Sequence, residues 1–367
     1  MSRLPAVLLA LLGAAACDMQ APVLLGSGDP RSAIHPSIVD FVDQELDSLH
    51  LNPPITVVRW SASLGGGLRR ETEQAMTYAA DNRIVAVVGH SGSRESLLAA
   101  NVYNPAGIPQ IVPTGTSRRL SSAGEWTFRM VPNDSVEGAF LADVAIDSLH
   151  SRSVLILYGG DEYGVGLRDG VSAALQRRGV TEVDKVRVPD RPCTDIRAEP
   201  LHRTTALAAL ARHRPDVVVL ALRSNTMNCL ILPISAALPE VQFLAGDGVT
   251  LHSAEVQGLP RDVRAKFGSV TFWDPSNGDA SHRDFIARAE RYLGHPPDAG
   301  DALYYDAYQV LIAATREAGA NRQAVRQWLV SLGRTRPPFA GVTGPISFDT
   351  ERRSLLHLVR PTLEAIP

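Results

Sequence analysis

An α/β fold, with mainly parallel sheets flanked by helices, is predicted by three features of the sequence. Short apolar runs rich in Val and Ile alternate with longer amphipathic segments. Those runs are continuous rather than alternating, as expected of strands buried on both faces. The βα series also stops near Val131 and restarts, ending a second time near Gly268. At 367 residues the chain can bury the cores of two medium lobes. Its 45% hydrophobic and 20% charged residues are those of a globular protein. A net charge of −3 leaves no electrostatic footprint for nucleic acid.

The chain opens with MSRLPAVLLALLGAAAC. Arg3, the apolar Leu4–Leu12 and the small Ala14-Ala15-Ala16 follow the grammar of a signal peptide, too short to span a bilayer. Cys17 directly after the small residues resembles a bacterial lipobox, implying cleavage after residue 16 and lipidation of Cys17. Export makes a bridge between the remaining cysteines, Cys193 and Cys229, as reasonable as two free thiols. No cysteine or histidine spacing suggests a metal site, and no cofactor motif stands out.

A helix is expected over Ser32–Leu49, then a strand at Ile55–Trp60 and a helix at Gly67–Ala80. The run Ile84–Val88 reads as a strand feeding a helix at Arg94–Asn104. Asp134 with Glu137 three residues on reads as a capping-box variant before a helix at Val136–Leu149. The second series has strands at Val154–Tyr158, Val183–Val188, Val217–Leu222 and Phe243–Ala245. Its helices are Gly164–Arg178, closed by Gly179 behind Arg177 and Arg178, and Met227–Ala237. Helices at Arg283–Leu293 and Leu303–Ala318 follow, and GPISFDTERRSLLHLVR reads as two strands turning at Asp349–Arg353.

The loop Gly89-His90-Ser91-Gly92-Ser93 stands between a predicted strand and helix, and two chemistries fit it. A nucleophile elbow needs Gly-x-Ser-x-Gly, and this loop lacks the final Gly. Ser91 would be the nucleophile, Ser63–Gly67 an oxyanion loop, and Asp247 with His252 or His282 the rest of a triad. The other reading uses the N–H groups at the start of the helix, with Ser hydroxyls, to hold a carboxylate.

The order VVGHSGSRESLLAANVYNPAGIPQIVPTGTSRRL, WTFRMVPNDSVEGAFLADVA, VLILYGGDEYGVGLRDGV resembles the leucine/isoleucine/valine-binding protein family. Weaker likeness continues through PDVVVLALRS, FLAGDGV, ALYYDAYQVL and GVTGPISFD. The resemblance implies a two-lobed type I periplasmic binding protein, 17–133 plus 271–342 forming one lobe and 134–270 plus 343–367 the other. Crossings are expected near Val131–Asp134, Val270–Asp274 and Gly341–Pro345. It also implies no enzymatic step: a small amino acid, carboxylate or amide is captured between the lobes and passed to an ABC importer permease. A lipoprotein of this fold that senses a ligand or serves envelope assembly is the alternative.

Carried over residue by residue, the family pattern places Ser93, Thr114 and Thr116 at the ligand's carboxylate and ammonium groups. Tyr163 maps to the aromatic that closes from the second lobe, and Asp247 to the acid facing the ammonium. Asp134 falls at a lobe junction, as a cap or hinge residue. Two departures put branched-chain specificity in doubt. Gly26–Ser37 lacks the family's covering aromatic, and Arg223 stands where relatives carry one. Arg223 could accept a second acidic group or lie solvated on the rim.

Overall fold

Five apolar runs in the first third of the chain assemble into one sheet. The computed structural model describes residues 22–28, 35–59, 67–180, 182–189, 193, 199–249, 253–275, 278, 280–348 and 362–365. The signal segment and Cys17 lie outside the described residues, as do Ser63, His252 and the turn expected at Asp349–Arg353. The first strands are β1 (Val23–Ser27), β2 (Ile55–Val58), β3 (Ile84–Val88), β4 (Gln110–Val112) and β5 (Thr127–Arg129). Between them run α1 (Ile38–Ser48), α2 (Gly67–Ala80) and α3 (Ser93–Ala106). The spatial order is β2-β1-β3-β4-β5, with every pair parallel. Central β3 buries all five of its residues, which is why its sequence is unbroken Ile, Val and Ala.

The second sheet takes β6 (Val154–Tyr158), β7 (Val183–Arg187), β8 (Val217–Ala221), β9 (Gln242–Ala245) and β10 (Phe267–Thr271). Its helices are α4 (Asp134–Asp143), α5 (Glu162–Arg177), α6 (Glu199–Arg212) and α7 (Asn228–Ala237), with single turns α8 (Ala254–Gln257) and α9 (Arg261–Arg264). The chain then returns to the first lobe as α10 (Ala280–Leu293), α11 (Ala299–Ala318) and α12 (Arg322–Ser331). Phe41 on α1 meets Phe285 on α10 and Tyr305 on α11, the last two rings 4.6 Å apart. A hairpin of β11 (Phe339–Gly341) and β12 (Gly344–Ile346) precedes β13 (Thr362–Ala365), which joins the second sheet antiparallel to β10.

Three local expectations are corrected. The N-cap of α4 is Asn133, whose side chain accepts the N–H groups of Ser135 and Val136, whereas Asp134 and Glu137 are fully buried. The helix expected over Val136–Leu149 ends as a π-helical turn at Val144–Ser148. Residues 341–345 are not a crossing but the hairpin turn, held to α11 by Asp306, which accepts the N–H groups of Val342 and Thr343. Cys193 and Cys229 are joined by a disulfide, their Cα atoms 5.8 Å apart.

Candidate functional site

Ligand sites in parallel sheets form beyond the carboxyl ends of the strands, where the loops diverge. That is where the cleft lies. Ser91, Gly92 and Ser93 follow β3, Thr114 follows β4, Tyr163 starts α5 after β6, Arg223 follows β8, and Asp247 with Gly248 follows β9. Thr271 at the end of β10, then Phe272, Trp273 and Pro275, and the start of α11 complete a cavity of about 280 Å³ between the two sheets' lobes. Of the residues singled out from sequence, Ser93, Thr114, Tyr163, Arg223 and Asp247 line this one cavity. Thr116 does not; it is fully buried behind the wall.

The first lobe's wall is tied from behind. His90 is buried, its Nδ1 2.6 Å from Glu71 Oε2 and its Nε2 3.0 Å from the Tyr103 hydroxyl. Ser96 Oγ donates to the His90 carbonyl (2.7 Å), and Gln110 Nε2 donates to the Gly89 carbonyl (2.9 Å). Ser93 Oγ accepts the N–H groups of Thr116 (3.2 Å) and Ser117 (3.0 Å), so it joins the two loops that face the ligand. Its own hydrogen remains free to donate. Gly92, the N-cap of α3, has φ +87 and no side chain to satisfy the first N–H groups of the helix. A Cβ there would sit 2.8 Å from Arg223 Nη2. The start of α3 therefore presents N–H groups to the cavity beside Ser91, Gly92 and Ser93, with the buried Glu95 Oε2 3.0 Å from the same Cβ position and facing Arg223.

The second lobe's wall has the opposite character. The Asp247 N–H donates to Glu137 Oε1 (2.8 Å) and the Gly248 N–H to the Tyr163 hydroxyl (2.9 Å). Only glycine fits between them at position 246, where a Cβ would fall 2.7 Å from Glu137 Oε1 and 2.5 Å from the Tyr163 oxygen. Asp247 Oδ1, Glu137 Oε2 and both Asp134 carboxylate oxygens are buried without a hydrogen-bond partner. Burial raises the Asp247 pKa, against the pull of the Tyr163 hydroxyl and the Arg223 charge. Burial, then the Asp247 charge, holds Glu137 well above the usual carboxylate range. Asp134 is pushed up to about 7, chiefly by burial.

Arg223 bridges the walls. Its Nη2 lies 3.7 Å from Glu95 Oε2 on α3 and its Nε 3.5 Å from Asp161 Oδ2 on its own lobe. Glu162 adds a second bridge, accepting from Ser117 Oγ (2.8 Å) and Arg119 Nη1 (3.0 Å). Two acids already flank Arg223, which weakens its claim to a second anionic group of the ligand.

Phe272, Trp273, Leu303 and Tyr304 make an apolar wall that the sequence reading missed. The signal lay in FGSVTFW, a strand running straight into two aromatics. No histidine is among the described residues lining the cleft, and both nitrogens of His90 are engaged by Glu71 and Tyr103.

With this geometry in hand, the family model described as periplasmic binding protein matches residues 69–361. Leu/Ile/Val-binding protein homolog 1 of Brucella abortus (strain 2308) is 26% identical over 278 residues, covering 75% of this chain and 70% of the relative. Among solved structures, an ABC transporter substrate-binding protein from Desulfitobacterium hafniense in complex with Leu superposes with a TM-score of 0.72 at 22% identity, covering 91% of this chain and 95% of that one. A solute-binding protein of an ABC transporter from R. palustris in complex with benzoate gives 0.73 at 16% identity, covering 91% of each chain.

Proposed function

Since the chain belongs to the periplasmic binding protein family, we propose that this extracytoplasmic solute-binding receptor closes its lobes on an apolar amino acid and delivers it to an ABC importer permease. The observation that carries the reading is the opposed chemistry of the two walls. The start of α3, with Ser93 and Thr114, takes the carboxylate, and Asp247 beside Tyr163 takes the ammonium group. Charge-assisted hydrogen bonds of this kind are about twice as strong as neutral ones. Phe272, Trp273, Leu303 and Tyr304 enclose the side chain, while Arg223 and Glu162 link the lobes once closed. A ligand that touches both lobes shifts the open–closed equilibrium by its differential affinity for the two states. No chemical step is involved, and Cys17 carries the lipid that holds the receptor at the membrane.

A thermal-shift and calorimetric comparison of L-leucine, L-isoleucine and benzoate against the mature chain tests this. An amino acid present at about a hundred times its dissociation constant should stabilise the fold by about 2.7 kcal/mol. Stabilisation by benzoate with none by either amino acid would overturn the assignment of Asp247 to an ammonium group.

A further inference from the structure

We propose that Glu137, buried on α4 behind the cleft, is the positioning residue that sets the site's preference for an ammonium-bearing ligand and makes capture release a proton. The inference rests on the assignment of Asp247 to the ammonium group. Glu137 is fully buried, and one of its oxygens fixes the Asp247 backbone at 2.8 Å. Its other oxygen and Asp247 Oδ1 have no partner. Gly246 lets the strand end run flush over this carboxyl, so the spacing is built in rather than incidental.

The charges around the pair are unbalanced. Asp134 on the same helix and Glu162 on α5 add negative charge, and Tyr163 adds a neutral hydroxyl. The cations are Arg129 on β5, whose Nη1 donates to the Ser117 carbonyl, and Arg223, already shared between Glu95 and Asp161. Two adjacent buried carboxyls with so little compensation hold one proton between them in the empty cleft. An ammonium group arriving at Asp247 supplies the missing positive charge, and the proton leaves to solvent.

The sign follows from the raised carboxyl pKa values. Protons compete with the ammonium below those values, so affinity rises with pH and reaches a plateau above them. Competition by one proton weakens binding by up to about tenfold per pH unit. A ligand without the ammonium group gains nothing from the ionised pair.

The experiment is calorimetric titration of the intact chain with L-leucine and with its deaminated counterpart, 4-methylpentanoate, between pH 5.5 and 8. Two buffers of different ionisation enthalpy count the protons exchanged. Wild-type protein should prefer leucine, bind it more tightly as pH rises, and release a proton on binding near pH 6.5. Glu137→Gln keeps an oxygen for the Asp247 N–H but cannot ionise. It should flatten the leucine profile, abolish proton release and narrow the preference over 4-methylpentanoate by about tenfold. Asp134→Asn removes a charge that raises the pair but makes no bond to Asp247, so it should move the leucine profile to lower pH while proton release persists. A Glu137→Gln protein with an unchanged profile, or an Asp134→Asn protein with a flattened one, would sink the role of Glu137 alone. Equal wild-type affinity for the two probes, or binding of neither, would sink the ammonium assignment as well.

Discussion

The two walls of the cleft solve the problem of buried polar groups in opposite ways. On the first lobe the side chains of the ligand loop are mostly tied to the protein, and the buried atoms left without a hydrogen bond among the described residues are Gln110 Oε1, Thr116 Oγ1 and Glu95 Oε2, which faces Arg223. His90, Ser93, Ser96 and Gln110 bond to the protein, and what remains open is backbone N–H at the start of α3. On the second lobe Glu137 and Asp247 leave carboxylate oxygens buried and unpartnered. A buried charge without a partner costs far more than a paired one. The first wall is thus braced by its own hydrogen bonds before the ligand arrives. The second is held unsatisfied until a cation completes it. Selectivity should follow this difference: the first wall fixes orientation, and the second decides which ligands are worth closing on.

Removing the charge of the second wall should have the largest effect. Asp247→Asn keeps the shape and loses the counter-ion of a desolvated ammonium. Breaking one side of such a pair costs about 3–5 kcal/mol, or more than about a hundredfold in leucine affinity. Binding of 4-methylpentanoate should be unchanged or improved, as measured by titration calorimetry. If both probes weaken equally, the second wall acts by shape and the contrast between the walls disappears.

The first wall breaks differently. Ser93→Ala strips the acceptor shared by the Thr116 and Ser117 N–H groups and leaves both buried donors without their partner. The loss should appear in stability, at about 1–3 kcal/mol, and in affinity, by at least about tenfold for both probes. Thr116→Ala removes a hydroxyl that does not reach the cavity and should cost less affinity than Ser93→Ala. Chemical denaturation followed by titration of each variant separates the two effects. Greater loss of affinity for Thr116→Ala would move the anion cradle from α3 to the loop after β4.

The same contrast explains what could be read from the chain. Contiguous segments were legible: the Gly89–Ser93 loop, the Pro113-Thr114-Gly115-Thr116 loop, and the strands whose residues are buried on both faces. Strand β4 is only Gln110–Val112 between Pro109 and Pro113, too short for its periodicity to register. Glu137 was misread for a physical reason. An acid in the first turn of a helix is the usual companion of an N-cap, so Glu137 reads with Asp134 as a capping box, whereas the cap is Asn133. The partner of Glu137, Asp247, lies 110 residues away, where local spacing carries no signal. The aromatic wall likewise combines residues after β10 with the start of α11.

The smallest effect sharpens the comparison most, because it concerns the residue that a hydrolase reading would need. Ser91 lines the cleft, yet among the described residues its hydroxyl bonds to nothing and no histidine shares that lining. If the first wall works through helix N–H groups and the braced Ser93, the Ser91 hydroxyl contributes one solvent-competed contact at most. A typical net hydrogen bond is worth about 0.5–1.5 kcal/mol, and a half-open one falls at the low end. Ser91→Ala should therefore change leucine affinity by no more than about threefold, leave stability unaltered and keep the preference over 4-methylpentanoate. Ester turnover should be no faster with the parent than with the variant. The reverse order, Ser91→Ala abolishing binding or a measurable esterase activity while Ser93→Ala is silent, would mean that the exposed hydroxyl, and not the braced one, organises the first wall.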